Sequence, residues 1–190
     1  AADTGMRLTG AGEFILTNAF SPDGTTVAGA SWSGVVPVWD VATGKKIRTI
    51  SVGMNGTRPA RAYYVEFSPN GKLVLTAAEG NQVSVWDMAS GREVAKFKGK
   101  PFNKTERWNS ASSEGDVTPN PAFSPDGSKL LLMDENYTPT LFDLSSGREL
   151  RAFGAPQNGE IVTSAIFSSD GTRILTAGPE EPNALVEVGT

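Results

Sequence analysis

The side chains best suited to chemistry in this 190-residue chain are carboxylates, paired at Glu114 and Asp116, at Asp134 and Glu135, and at Glu180 and Glu181. Pairs of this kind can hold a hard divalent cation through oxygen or divide general acid and base roles between them. Neighbouring residues on a strand or tight turn tend to diverge, however, and none of the pairs has the D-x-[DN]-x-[DN]-G spacing of a calcium loop. They read as solvated surface. The segment "NSASSEG" supplies serine hydroxyls, but the chain contains no His, so a Ser-His-acid triad cannot form, and no Ser-x-x-Lys replaces it. The absence of Cys excludes disulfides, thiolate metal sites and a thiol nucleophile. Neither a Walker loop nor a Gly-x-Gly-x-x-Gly occurs. A net charge of −4 argues against the basic face of a nucleic-acid binder. No apolar run approaches the roughly 18 residues needed to span a bilayer. No catalytic residue, cofactor site or metal site is therefore expected.

The elements that carry these residues are repeated. Phe20, Phe67, Phe123 and Phe167 each open a turn written "SPDG", "SPNG", "SPDG" and "SSDG", and 19 residues later come Trp39, Trp86, Phe142 and Val186. Asp40, Asp87, Asp143 and Glu187 follow at once, and Gly44, Gly91 and Gly147 lie five residues beyond the first three aromatics. Proline suits the second position of a type I turn, and glycine adopts positive φ easily. Between such turns the chain alternates and is rich in β-branched and aromatic residues, which predicts short strands. In the second unit these are Tyr63 to Phe67, Leu73 to Ala77, Val83 to Trp86 and Glu93 to Phe97. No stretch shows a helical apolar period, so the chain reads as all-β. The opening "AADTGMRL" fits the frame as a lone fourth strand, with Thr4-Gly5 standing where Thr43-Gly44 stands.

Turn, offset, Trp-Asp pair and later glycine recurring together resemble the WD-repeat family over nearly the whole chain. The resemblance implies a β-propeller of four-stranded antiparallel blades packed radially around a channel. The units fall at residues 1–10 (the last strand of a preceding blade), 11–50, 61–98, 117–153 and 160–190 (partial), with a long loop at 98–120. Trp39, Trp86 and Phe142 should lie buried between blades. Many family members link a His, a Ser or Thr, an Asp and the Trp by hydrogen bonds; without His that network cannot form here, and apolar packing should hold the blades instead. About four blades are covered, and the first and last are incomplete unless they close on each other. The expectation is a fragment of a longer propeller whose raw edges invite self-association.

The longest connections join one unit to the next, and in propellers they emerge on the rim that usually grips partners. Trp32, Arg58, Arg61, Lys104, Arg107, Trp108 and Tyr137 would stand there. Arg, Trp and Tyr are enriched in interface hot spots. The function this implies is a non-catalytic scaffold that binds a protein or peptide, with no nucleic acid and no membrane. The alternative is a ligand-binding or enzymatic propeller that uses carboxylates, with a divalent cation, near the channel.

Overall fold

A computed structural model describes residues 7–10, 14–98, 121–134, 138–153, 162, 164–177 and 184–189. Seventeen strands and no helix occur among them. The first sheet comprises β1 (Ile15–Phe20), β2 (Thr26–Ser31), β3 (Val35–Asp40) and β4 (Lys46–Ser51), all antiparallel neighbours in chain order. A short hairpin, β5 (Met54–Asn55) and β6 (Arg58–Pro59), leads to the second sheet: β7 (Ala62–Phe67), β8 (Leu73–Ala78), β9 (Gln82–Asp87) and β10 (Glu93–Lys98). The third contains β11 (Ala122–Phe123), β12 (Lys129–Met133), β13 (Pro139–Asp143) and β14 (Glu149–Ala152). Three strands make the fourth: β15 (Ser164–Phe167), β16 (Arg173–Ala177) and β17 (Ala184–Glu187).

Two side-chain devices fold each unit locally. In the first hairpin the Ser21 hydroxyl donates to Asp23 Oδ1 at 2.6 Å and accepts the Thr26 N–H at 3.0 Å, while Gly24 turns the chain at φ +71°. Ser68 with Asn70, Ser124 with Asp126, and Ser168 with Asp170 repeat the arrangement. The Asp of the Trp-Asp pair shapes the next turn. Asp40 Oδ1 accepts the N–H and hydroxyl of Thr43 at 2.7 and 2.6 Å, and Asp87 and Asp143 do the same with Ser90 and Ser146. Hydrogen bonds to the ionised form hold these carboxyls low; Asp126, Asp143 and Asp170, bonded first of all by serine hydroxyls, fall to about 2.

Period-two alternation gives every sheet two apolar faces, one carrying the Trp or its substitute and one aliphatic. The sheets stack with the aliphatic face of each on the aromatic face of the next. Ala28, Ala30, Val36 and Val38 of the first sheet meet Val65, Phe67, Val74 and Trp86 of the second. Leu75, Ala77, Val83 and Val85 then meet Phe123, Leu130 and Leu132, with Phe142 tilted against Phe97 at 5.2 Å between ring centroids. Leu131, Leu141 and Phe153 cover Ala165, Ile174, Phe167 and Val186. No sheet could shelter both faces alone, so the stack is the core.

The stack is open at its ends. Phe20 is 62% exposed, whereas its counterparts Phe67 and Phe123 are 6% exposed; Leu185 is 61% exposed, against 0% for Val38 and Val85 and 1% for Leu141. The fourth sheet therefore does not close onto the first, and a four-bladed ring is not what the chain forms by itself. Trp39 stays buried on the open first face because residues 7–10 lie across it: Trp39 Nε1 donates to the Thr9 carbonyl at 3.0 Å. The fourth strand expected at Met6 to Thr9 is not formed over the described residues 7–10, which pair with no strand; the Thr9 N–H donates to the Gly44 carbonyl at 3.0 Å. Half of the family's polar network survives the loss of His. Trp86 Nε1 donates to Thr76 Oγ1 at 2.9 Å inside the second sheet, whereas the first sheet has Gly29 at the matching position and uses the Thr9 carbonyl.

Candidate functional site

Three connections converge on one rim. The β2–β3 turn carries Trp32, the β5–β6 hairpin carries Arg58 and leads to Arg61, and the β8–β9 turn opens with Glu79. The segment between the first two sheets, expected as a loop, folds into this hairpin because Gly56 takes positive φ in its two-residue turn. Backbone bonds tie it at both sides: Val52 N–H to the Gly34 carbonyl, Ala60 N–H to the Gly53 carbonyl, and Glu79 N–H to the Arg61 carbonyl. Gly34 is required by space as well as by its φ of +84°, since a Cβ there would stand 2.5 Å from the Ala60 carbonyl oxygen and 2.9 Å from Pro59 Cβ.

On this frame the Arg61 guanidinium lies over the Trp32 ring at 3.9 Å from its centroid. Such a cation–π contact contributes about 0.5–2 kcal/mol and fixes both groups as one flat platform. Arg58 Nη2 donates to Glu79 Oε1, and Glu79 Oε2 lies 3.5 Å from the Arg61 N–H, so the carboxylate ties both arginines' segments together. The bond from Arg58 holds the Glu79 carboxyl below its ordinary range and the guanidinium above its own. Gln82 Nε2 donates to the Met54 carbonyl at 3.3 Å, and the Met54 side chain is exposed at the start of the hairpin. The result is an exposed surface of indole, guanidinium and thioether with a carboxylate beside it. It has donors and apolar area suited to docking a chain, and no nucleophile paired with a base.

Of the residues expected at the rim, Trp32, Arg58 and Arg61 are brought together. Lys104, Arg107, Trp108 and Tyr137 lie outside the described residues, as do 99–120 of the long loop and the acidic residues Glu114, Asp116, Glu135, Glu180 and Glu181. Asp134 serves its own hairpin by accepting the Thr138 N–H at 2.8 Å. Among the described residues no three metal-ligating side chains cluster. Sequence reading missed Glu79 and Met54; Glu79 opens the "EGNQ" turn, where its charge opposite Arg58 was the available signal. It also missed Glu66 on β7, a carboxyl that burial pushes up to about 7 and whose Oε2 accepts the Tyr64 hydroxyl at 3.3 Å.

Comparison with known proteins agrees with this architecture. Residues 5–40 and 48–87 match the model of the WD domain, G-beta repeat. A solved structure, that of the computationally designed Ika4 protein, superposes with a TM-score of 0.67 at 21% identity, covering 97% of this chain and 99% of that one. No curated protein matches the chain.

Proposed function

We propose that this chain of WD-repeat β-propeller blades is an interaction module that captures a protein or peptide on the rim bearing Trp32, Arg58, Arg61 and Glu79. WD-repeat propellers are commonly used for protein–protein interaction, which supplies the class of function. The observation that supports this rim is the Arg61–Trp32 stack, an exposed aromatic and cation held rigid before any partner arrives. Rigid aromatic and arginine anchors lose little conformational entropy on binding, so they dominate interface energetics. A partner segment with an acidic or carbonyl-rich stretch flanked by an apolar residue would satisfy the guanidinium donors and cover the indole and Met54.

The test compares capture by the immobilised wild-type chain with capture by a triple variant, Trp32→Ala, Arg58→Ala and Arg61→Ala. All three side chains sit at the surface, so the melting temperature should remain within a few degrees. The wild type should retain a discrete set of proteins that the variant loses. An unchanged set would place recognition elsewhere on the molecule.

A further inference from the structure

Lys and Arg are outnumbered in this chain, 17 against 21 Asp and Glu, but they are not evenly spread. Residues 45–51 and 92–98, which hold the outer strands β4 and β10 with the residues leading into them, contain six cations and a single acid, Glu93. Each of these strands is the last of its sheet and is paired along one edge only. Lys45, Lys46, Arg92, Lys96 and Lys98 are exposed, and among the described residues none of their side chains makes an ion pair or a hydrogen bond. The ion pairs seen among the described residues, Arg58 with Glu79 and Arg173 with Glu187, lie elsewhere. Cations gathered without counter-charges on one side of an acidic protein set up a local field that attracts and orients an acidic partner.

Between these cations each outer strand also turns an apolar side chain into water. Trp39 pairs with Lys46 and Val38 with Arg48, so Ile47 is the extra residue of a β-bulge; Val94 is skipped in the same way between Glu93 and Ala95. Ile47 and Val94 are 55% and 54% exposed, whereas Ile50 and Phe97, three residues further along each strand, are buried and supply the core. Strand β14 repeats the pattern, with Leu150 skipped between Glu149 and Arg151 and exposed. Lysines and bulges suffice to keep an edge strand from pairing with a foreign strand. A large apolar residue in the bulge adds nothing to that protection, and its exposed area is available to a partner that brings apolar groups of its own.

Arg48 joins the two strands into one surface, since its Nη2 donates at 3.1 Å to the Ala89 carbonyl in the turn that leads into β10. We propose that the outer surface of β4 and β10 docks an acidic segment of a partner protein in which Asp and Glu are interspersed with apolar residues. Its carboxylates meet Lys45, Lys46, Arg92 and Lys96, and its apolar side chains cover Ile47 and Val94. The bulges oppose strand addition, so the contact runs through side chains. A nucleic acid suits the surface less well, because neither strand exposes an aromatic side chain on which a base could stack, and Glu93 lies among the cations. This surface is separate from the rim that bears Trp32. Lys46 and Arg92 stand at the β3–β4 and β9–β10 turns, and in each antiparallel sheet these are at the opposite end from the β2–β3 and β8–β9 turns.

Fluorescence anisotropy tests the proposal with a labelled peptide of repeating Glu-Glu-Leu as the probe. The titration uses the full chain carrying Trp32→Ala, Arg58→Ala and Arg61→Ala, so that the rim is silent and its failure or success as a binding site does not bear on the result. This chain should bind the peptide, more weakly as ionic strength rises, and should bind the same peptide with Ser in place of Leu several-fold less tightly. Adding Lys46→Glu, Arg92→Glu and Lys96→Glu should weaken binding roughly tenfold or more. Adding Ile47→Ser and Val94→Ser instead should weaken it several-fold at unchanged charge. All five side chains are exposed, so circular dichroism and melting should stay as they were. Wild-type affinity in either set of variants overturns the proposal. Equal binding of the Leu and Ser peptides also overturns it, by leaving charge attraction alone, as does tighter binding to phosphatidylserine vesicles than to the peptide.

Discussion

At the residue scale, the informative group is Glu66. It occupies on β7 the position held by Ala19, Ala122 and Ile166 in the other units, an apolar position facing the next sheet. Burial raises its carboxyl to about 7, partly offset by the Tyr64 hydroxyl, whose own ionisation is pushed up by the same burial. A carboxyl raised in the folded state keeps its proton there at a pH where the unfolded chain has lost it. Its cost to stability is absent below the unfolded value of about 4.3, grows as pH rises to about 7 and is constant above. Glu66→Gln keeps an acceptor for Tyr64 and removes the charge. The variant should melt at the same temperature as wild type near pH 4 and several degrees higher at pH 8, a gain of about 1–2 kcal/mol once partial exposure is allowed for. Equal melting at both pH values would show that Glu66 is solvated when charged. The turn aspartates act in the opposite sense: their lowered values add stability that is lost only as pH falls from about 4 toward about 2. Acid and base limbs of the stability curve thus belong to different residues.

At the element scale, strands were legible because alternation and turn chemistry agree in this chain. The four strands expected in the second unit match β7 to β10 within one residue at each end. The Ser-Pro-Asp-Gly turns were readable for a local reason, since Ser, Asp and Gly hydrogen-bond and turn within six residues. The β5–β6 hairpin was not, because "SVGMNGTRPARA" has no alternation and its pairing is held by Gly34 in another turn. The same long-range contact hid Glu79, which becomes part of the site only when the β8–β9 turn meets the hairpin. Gly34→Ala tests this dependence. It forces a Cβ against the Ala60 carbonyl at positive φ, so the hairpin must move away from the Trp32 turn. We expect a loss of roughly 1–3 kcal/mol in stability, read by thermal unfolding, from backbone strain and displacement together. The Arg61–Trp32 contact should go with it, seen as altered Trp fluorescence. A variant with wild-type melting and emission would mean that the hairpin is not anchored through Gly34.

At the scale of the whole molecule, the sequence announced the repeat and its radial stacking, since a small twisted sheet with two apolar faces must lean on neighbours. It did not announce whether the ends meet, because closure depends on how far each sheet rotates from the last, and no residue type records that angle. The third and fourth units also diverge from the Trp-Asp signature, with Phe142 and Val186 in the aromatic position, yet they stack the same way because what the junction requires is apolar volume. The account rests on that face-to-face burial, and amide hydrogen exchange tests it most directly. The second sheet is covered on both faces, so amides of Leu73–Ala78 and Gln82–Asp87 should be the slowest in the molecule and should exchange only through global unfolding. Fast exchange across those two strands, in a chain whose circular dichroism still reports β-structure, would mean that the sheets do not stack as described.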